Sequence, residues 1–187
     1  TILKEQVDGV YADLDFTRVY GSGQSAGSSA TQGFAVTNPE FFAAVASTSA
    51  VPSELSNQAN EQIPVMLIVG QMDNGDMSAG FASERLHSWA TYMLEMNGFD
   101  PDFNGDKASS VVNADSRHPE LYVWSKTIGG EEVPLFQFSV CQLRPHNCYP
   151  SDLPILWDFL EHFSMDENGT RYYSASAFEQ DDAVILE

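Results

Sequence analysis

The sequence predicts an α/β fold built on a mostly parallel sheet, and three observations support this expectation. Strand-like and helix-like segments alternate along most of the chain, as they do in folds with parallel sheets. The continuous β-branched run at residues 63–70 predicts a strand, and the apolar run at residues 41–46, which does not alternate, is typical of a strand buried on both faces. A serine between two glycines, Ser25, lies between a short apolar segment and a helix-compatible segment. Together these features predict that residues 1–187 form part of a single α/β domain.

The predicted helices and strands are defined by hydrophobic periodicity and by the residues that end each element. Apolar residues three or four positions apart predict helices at residues 2–14, 82–96 and 153–163, and a run of small, helix-compatible residues predicts another at residues 28–36. The strands are short apolar runs between turn residues, and they are predicted at residues 18–20, 41–46, 63–70, 121–126 and 133–140. Segments 47–62 and 99–119 are polar and predict loops.

Turn and capping residues mark several of these boundaries. Pro39 ends the second helix because proline disfavours helical backbone in the residue before it. Asn97-Gly98 caps the third helix, and Gly129-Gly130 indicates a hairpin between the last two strands. Ser151 is a candidate N-cap for the last helix. Residues 178–187 are acidic and carry no strong signal.

The charge of the chain restricts its partners. The net charge is −19, from 27 acidic and 8 basic residues. Nucleic acids and anionic membranes both prefer a basic surface, so neither is an expected partner. The sequence contains no apolar run of the 18 residues that a membrane-spanning helix needs. An acidic, well-solvated surface favours a secreted or extracytoplasmic location.

The chain has two cysteines, Cys141 and Cys148. Two cysteines are too few for a disulfide framework or for a zinc site with four cysteine ligands. A disulfide between them and a pair of free, buried thiols are both compatible with the seven-residue spacing.

Residues 23–27 form a G-x-S-x-G pattern at the predicted strand-to-helix turn. Such a turn holds its serine in a strained conformation, and we expect both glycines to let the strand and the helix approach without a Cβ clash. The helix that follows directs free N–H groups at the space beside Ser25. Ser25 is therefore the predicted nucleophile, the Ala26 N–H is expected to supply half of an oxyanion hole, and Gln24 is expected to contact substrate.

A serine nucleophile needs a base, and the chain offers four histidines. His87 and His162 lie within predicted helices and are expected to be packing or surface residues. His146 lies in the loop after the last predicted strand, where an α/β topology returns the chain to the nucleophile turn. His146 is the preferred base, and His118 is the alternative.

The base in turn needs a carboxylate that orients it. Asp73 and Asp76 both follow the strand at residues 63–70, at the end of the strand where α/β sites form. Asp73 is preferred, and Asp76 remains the alternative. The order serine, aspartate, histidine is that of α/β-hydrolases, and its chemistry requires neither a metal nor a cofactor.

Residues 14–27 resemble the nucleophile segment of the polyhydroxybutyrate-depolymerase-like and feruloyl-esterase-like α/β-hydrolases. Residues 65–73 are similar to the strand and loop that carry the catalytic aspartate in those families. His146, Pro150 and the helix containing Trp157 resemble the closing segment. The chain departs from the family at Ser28-Ser29, where a further glycine is common, and in a histidine loop that is one residue longer.

The resemblance implies a serine esterase that acts on a small-molecule or polymer-linked ester. It also implies strands before the nucleophile strand, one of which carries the second oxyanion donor. Since one predicted helix at residues 2–14 is all that precedes that strand here, either the chain is a C-terminal fragment or a second chain carries the N-terminal half of the domain. We expect the second chain. The alternatives are a prolyl-oligopeptidase-like serine peptidase and a catalytically silent binding module.

Overall fold

A six-stranded, mostly parallel sheet forms the centre of the computed structural model, which describes residues 8–10, 13–178 and 182–186. Its strands are β1 (Tyr20–Gly21), β2 (Ala44–Thr48), β3 (Val65–Met72), β4 (Ser110–Val112), β5 (Leu121–Ile128) and β6 (Glu131–Pro145). They lie in the order β1-β2-β3-β6-β5-β4. Strands β1, β2, β3 and β6 are parallel, whereas β5 is antiparallel to β6 and β4 to β5. The carboxyl ends of the four parallel strands therefore meet at one edge of the sheet.

In the described part of the chain, three α-helices flank this sheet: α1 (Ala26–Thr37), α2 (Glu84–Met96) and α3 (Asp152–Leu160). Helices α1 and α2 contribute to the hydrophobic core on one face, and α3 contributes to the core on the other. Alternate side chains of β3 enter the two cores, with Leu67 on the first face and Ile68 on the second. This arrangement confirms the predicted α/β fold with a mostly parallel sheet flanked by helices. Within the described part of the chain, no helix has both the length and the apolar character needed to cross a membrane.

A small antiparallel sheet extends the second face. It consists of β7 (Phe163–Met165), β8 (Arg171–Tyr173) and β9 (Val184–Ile185). Phe163 and Tyr173 are buried in the same core as α3. The predicted helix at residues 153–163 is wrong at its end, since α3 stops at Leu160 and Phe163 begins β7, and the acidic tail, which carried no strong signal, contains β9. These strands are only two or three residues long, so they leave no periodic signal in the sequence.

Other boundaries also differ from the predictions. The predicted helix at residues 2–14 falls largely outside the described residues, and Gly9 and Val10 form a turn. Pro39–Phe41 is a 3₁₀ turn, so β2 begins later than predicted. The predicted loop at residues 99–119 contains β4, which hydrogen-bonds to β5 at the edge of the sheet. Ser151 makes no side-chain cap to α3. Cys141 and Cys148 are both free thiols.

Candidate active site

Ser25 occupies the turn between β1 and α1, at the carboxyl edge of the sheet. Its backbone has a φ of 57° and a ψ of −121°, a conformation that costs a non-glycine residue about 1–3 kcal/mol. Thr48, at the end of β2, holds this turn from both sides. The Ser25 N–H donates to the Thr48 carbonyl over 3.1 Å, and the Thr48 N–H donates to the Gly23 carbonyl over 2.9 Å. These two bonds fix the backbone of the turn against the end of β2.

The two glycines beside Ser25 have different roles. A Cβ atom at Gly23 would overlap the backbone of Gly27 and Ser28, so the close approach of the turn to α1 requires a glycine there. A Cβ atom at Gly27 would meet nothing within 4 Å. The expectation that both glycines relieve a clash is therefore wrong for Gly27, because its Cβ would project away from the turn.

His146 lies against Ser25, although the two residues are 121 positions apart in the chain. Its Nε2 is 2.5 Å from the Ser25 Oγ, and its Nδ1 is 2.5 Å from the Asp73 Oδ1. An ionised carboxylate only accepts hydrogen bonds, so the Nδ1 carries a hydrogen. In the neutral ring the Nε2 then has a free lone pair that accepts the serine hydroxyl hydrogen. The side chain of His146 is 27% exposed, so the pair is open to solvent on one side.

Asp73 is fixed by its own backbone surroundings. Its side chain is fully buried, its Oδ2 accepts from the Gly70 N–H over 3.1 Å, and its Oδ1 accepts from the Asn74 N–H over 2.7 Å. These bonds orient the carboxylate towards His146. Strands β3 and β6 approach so closely here that a Cβ atom at Gly70 would overlap the Arg144 carbonyl. That approach brings the aspartate loop and the histidine loop together.

The structure places the alternative residues elsewhere. Asp76 accepts from the Ser83 hydroxyl and from the Arg85 N–H, which places it at the start of α2. Those bonds hold the pKa of Asp76 below its ordinary value, the bond from Ser83 being the largest cause. His118 is fully buried between two carboxylates. His87 and His162 each contact a backbone carbonyl, those of Phe81 and Ser174.

Ala26 and Gln24 border the serine. Ala26 is the first residue of α1, so the helix itself leaves its N–H without a hydrogen-bond partner, and the residue is exposed. The first turn of α1 contains no acidic residue that would oppose the partial positive charge of the helix N-terminus. Gln24 is half-buried, and its carbonyl accepts from the Gly27 N–H over 2.9 Å. The space beside Ser25 is therefore suited to developing negative charge.

Two groups of possible metal ligands lie within the described residues: His118, Cys141 and Asp152 in the interior, and Asp158, Glu161 and His162 at the surface. Neither group includes a residue of the Ser25 site.

Thr48 and the buried pair Arg144 and Asp152 were not predicted from the sequence. Thr48 acts through its backbone, and Arg144 and Asp152 act through an ion pair, and no local pattern marks such residues.

The comparison with protein-family models finds no match to this chain, and neither does the comparison with curated proteins.

Proposed function

We propose that this protein is a serine carboxylic-ester hydrolase with an α/β-hydrolase fold. The observation that supports the proposal is the continuous contact from Asp73 through His146 to Ser25. Ser25 lies in a turn with a positive φ, directly before the first residue of α1. A buried carboxylate, an oriented imidazole and an activated hydroxyl, in that order, are what nucleophilic acyl transfer requires.

The reaction proceeds in two halves. The Ser25 Oγ attacks the ester carbonyl carbon while the His146 Nε2 takes the hydroxyl proton, and Asp73 stabilises the resulting imidazolium. The tetrahedral intermediate collapses, the alcohol leaves with the proton from His146, and an acyl-serine remains. A water molecule then gives its proton to His146 and attacks the acyl carbon. The second tetrahedral intermediate then collapses and releases the carboxylic acid, and His146 returns its proton to the Ser25 Oγ.

The Ala26 N–H faces the oxyanion in this scheme, with the N-terminus of α1 behind it. One donor is half of an oxyanion hole, and a missing donor costs about 3–4 kcal/mol of transition-state stabilisation. We propose that the second donor comes from a second chain that pairs with β1. Among the described residues β1 pairs as a strand only with β2, so its other edge is free for a further strand.

The surface around β1 supports the proposal of a second chain. A groove of about 470 Å³ is lined by Phe16, Tyr20, Trp157 and Phe178. A second groove of about 490 Å³, lined in part by Phe16 and Phe41, borders the same segment. Trp157 is 47% exposed and Phe178 is 57% exposed. Exposed apolar surface beside an unpaired strand is typical of an interface with another chain.

The test is the substitution Ser25→Ala. We expect the rate of hydrolysis of short aryl esters to fall about 10⁴-fold or more, because the nucleophile is lost while the fold is kept. Ser22→Ala is the matched control, since Ser22 is an exposed serine three residues earlier in the same turn. A Ser25→Ala protein that retains near-native hydrolysis contradicts the proposal.

Substrate class is tested separately with aryl esters, hydroxycinnamoyl esters and dipeptidyl amides. We expect cleavage of the esters in preference to the amides. Preferential cleavage of the amides would instead identify a serine peptidase. If a fluorophosphonate fails to label Ser25 in the folded protein, the scaffold acts as a binding module and the esterase proposal is wrong.

A further inference from the structure

Ser49, the residue that follows β2, is fully buried and takes no part in the proposed reaction. Its φ of 70° lies in the left-handed region, where a residue with a side chain is strained. Glycine adopts such a backbone without this cost. A serine at this position is therefore explained by its hydroxyl and not by the conformation of its backbone.

The Ser49 hydroxyl joins the chain on the two sides of His146. It accepts a hydrogen bond from the Nη2 of Arg144 over 3.3 Å and donates one to the Asn147 carbonyl over 3.1 Å. Arg144 precedes His146 by two positions, and Asn147 follows it directly. A serine hydroxyl has a single hydrogen to donate, so its donor is fully used in this bridge.

The backbone of Ser49 is fixed to β3. Its N–H donates to the Ile68 carbonyl over 2.9 Å, and the Arg144 Nη2 donates to the same carbonyl over 2.8 Å. Ile68 belongs to the strand that leads to Asp73. The hydroxyl therefore holds the residue after His146 against the part of the sheet that also carries the carboxylate partner of His146.

The histidine loop depends on such side-chain contacts for its conformation. Strand β6 ends at Pro145 and α3 begins at Asp152, and residues 146–149 belong to neither a helix nor a strand. The Asp152 carboxylate holds this loop at the Tyr149 N–H over 2.8 Å, three residues beyond His146. Ser49 holds it at the residue next to His146.

The end of β2 thus contacts both partners of the proposed proton transfer. Thr48 fixes the turn of Ser25 through two backbone hydrogen bonds, and Ser49 fixes the histidine loop through its side chain. Because consecutive Cα atoms are about 3.8 Å apart, these two points of attachment cannot separate. The placement of Ser25 relative to His146 is therefore determined over two neighbouring residues.

We propose that Ser49 is a positioning residue for His146, and that its hydroxyl, together with the Thr48 backbone, maintains the 2.5 Å separation between the Ser25 Oγ and the His146 Nε2. This inference rests on the proposed function for the role of His146. Without the hydroxyl, the half-buried Asn147 carbonyl loses its partner and turns towards solvent to recover one. That rotation moves the adjacent imidazole away from Ser25.

The test compares Ser49→Ala with Ser49→Gly. Both variants lack the hydroxyl, but only glycine adopts the positive φ without strain, so we expect Ser49→Gly to unfold at a higher urea concentration than Ser49→Ala. The rate at which a fluorophosphonate labels Ser25, per folded molecule, should nevertheless fall about 10-fold or more in both, since a displacement of about 1 Å is enough for such a loss. Labelling that stays at the native rate in Ser49→Gly would show that only the backbone matters and would overturn the positioning role.

Ser47→Ala is the matched control. Ser47 is a buried serine two positions earlier in β2, and its Oγ has no hydrogen-bond partner among the described residues. Removal of this hydroxyl should leave the labelling rate of Ser25 at its native value. A loss in Ser47→Ala as large as that in the Ser49 variants would attribute the effect to any change in β2 and contradict a specific role of Ser49.

A second measurement is the NMR spectrum of ¹⁵N-histidine-labelled protein, which reports on the His146 ring and on its Nδ1–H, the hydrogen bonded to Asp73. We expect the His146 ring resonances to shift in both Ser49 variants and to remain in place in Ser47→Ala. If they shift but Ser25 is not labelled even in the unsubstituted protein, the proposed function fails and the positioning role stands. If they remain in place in the Ser49 variants, the positioning role is wrong.

Discussion

Gly23 and Gly27 flank Ser25 symmetrically in the sequence, yet their surroundings differ. Gly23 lies against the backbone of α1, where a side chain has no room, and Gly27 faces open space. Thr48 holds the turn through two backbone hydrogen bonds, so the strain at Ser25 is offset by the end of β2. At the scale of single residues, the position of Ser25 therefore depends on one of the two glycines.

We predict that Gly23→Ala lowers the rate of fluorophosphonate labelling of Ser25 about 100-fold or more. The added methyl group displaces the Gly27 and Ser28 backbone, and a displacement of about 1 Å is enough for such a loss. Gly27→Ala is the matched control, and we expect it to label at the native rate. The midpoint of urea unfolding of Gly27→Ala should not decrease, because alanine is a better helix former than glycine by up to about 1 kcal/mol. Equal labelling of the two variants would contradict the assigned roles.

At the scale of elements, β3 and β6 determine which carboxylate meets His146. Their pairing brings Asp73 beside the histidine loop, whereas Asp76 lies three residues further on and caps α2. Ser83 shares that cap, because its Oγ accepts from the Leu86 N–H over 3.0 Å and donates to Asp76. The second acidic residue of the loop thus has a structural role.

We predict that Ser83→Ala destabilises the protein by about 1 kcal/mol through loss of the N-cap of α2. The rate of ester hydrolysis per folded molecule should not change, since no residue of this cap contacts the Ser25 site. Ser88→Ala is the control, because Ser88 is an exposed serine within the same helix. Urea unfolding measures the difference, and a Ser83→Ala protein as stable as Ser88→Ala would refute the capping role.

At the scale of the whole molecule, the described residues form a sheet with two edge strands, β1 and β4, and apolar grooves lie beside β1. Aromatic side chains line both grooves near β1, and Arg18, which lines one of them, donates to the Glu161 and Ala177 carbonyls. The β1 edge is therefore anchored to the rest of the molecule while its outer side remains without a neighbouring strand among the described residues.

We predict that the active particle contains a second, unequal chain paired with β1. Native mass spectrometry of material purified in active form should show two polypeptides held together. Phe41→Glu, which places a carboxylate in one of the β1 grooves, should weaken their association. An active, monodisperse species of 20.6 kDa would contradict this prediction.

Several features were predicted from the sequence because each depends on a local pattern. The β-branched run predicted β3, the apolar stripe predicted α2, and the glycines around Ser25 predicted the turn between β1 and α1. The sequence also selected His146 and Asp73 as the preferred partners of Ser25, and the structure brings these three side chains together. Whether they catalyse ester hydrolysis remains a prediction.

The sequence by itself determined the mixed α/β fold and the strand-to-helix turn at Ser25, since hydrophobic periodicity and glycine positions encode both. Only the tertiary structure decided between Asp73 and Asp76, showed that Gly27 is not sterically required, and assembled His118, Arg144 and Asp152 beneath the histidine loop. The reason is that these contacts join residues far apart in the chain. Their geometry depends on the close approach of β3 to β6 and on the return of α3 to the sheet, which no local pattern records.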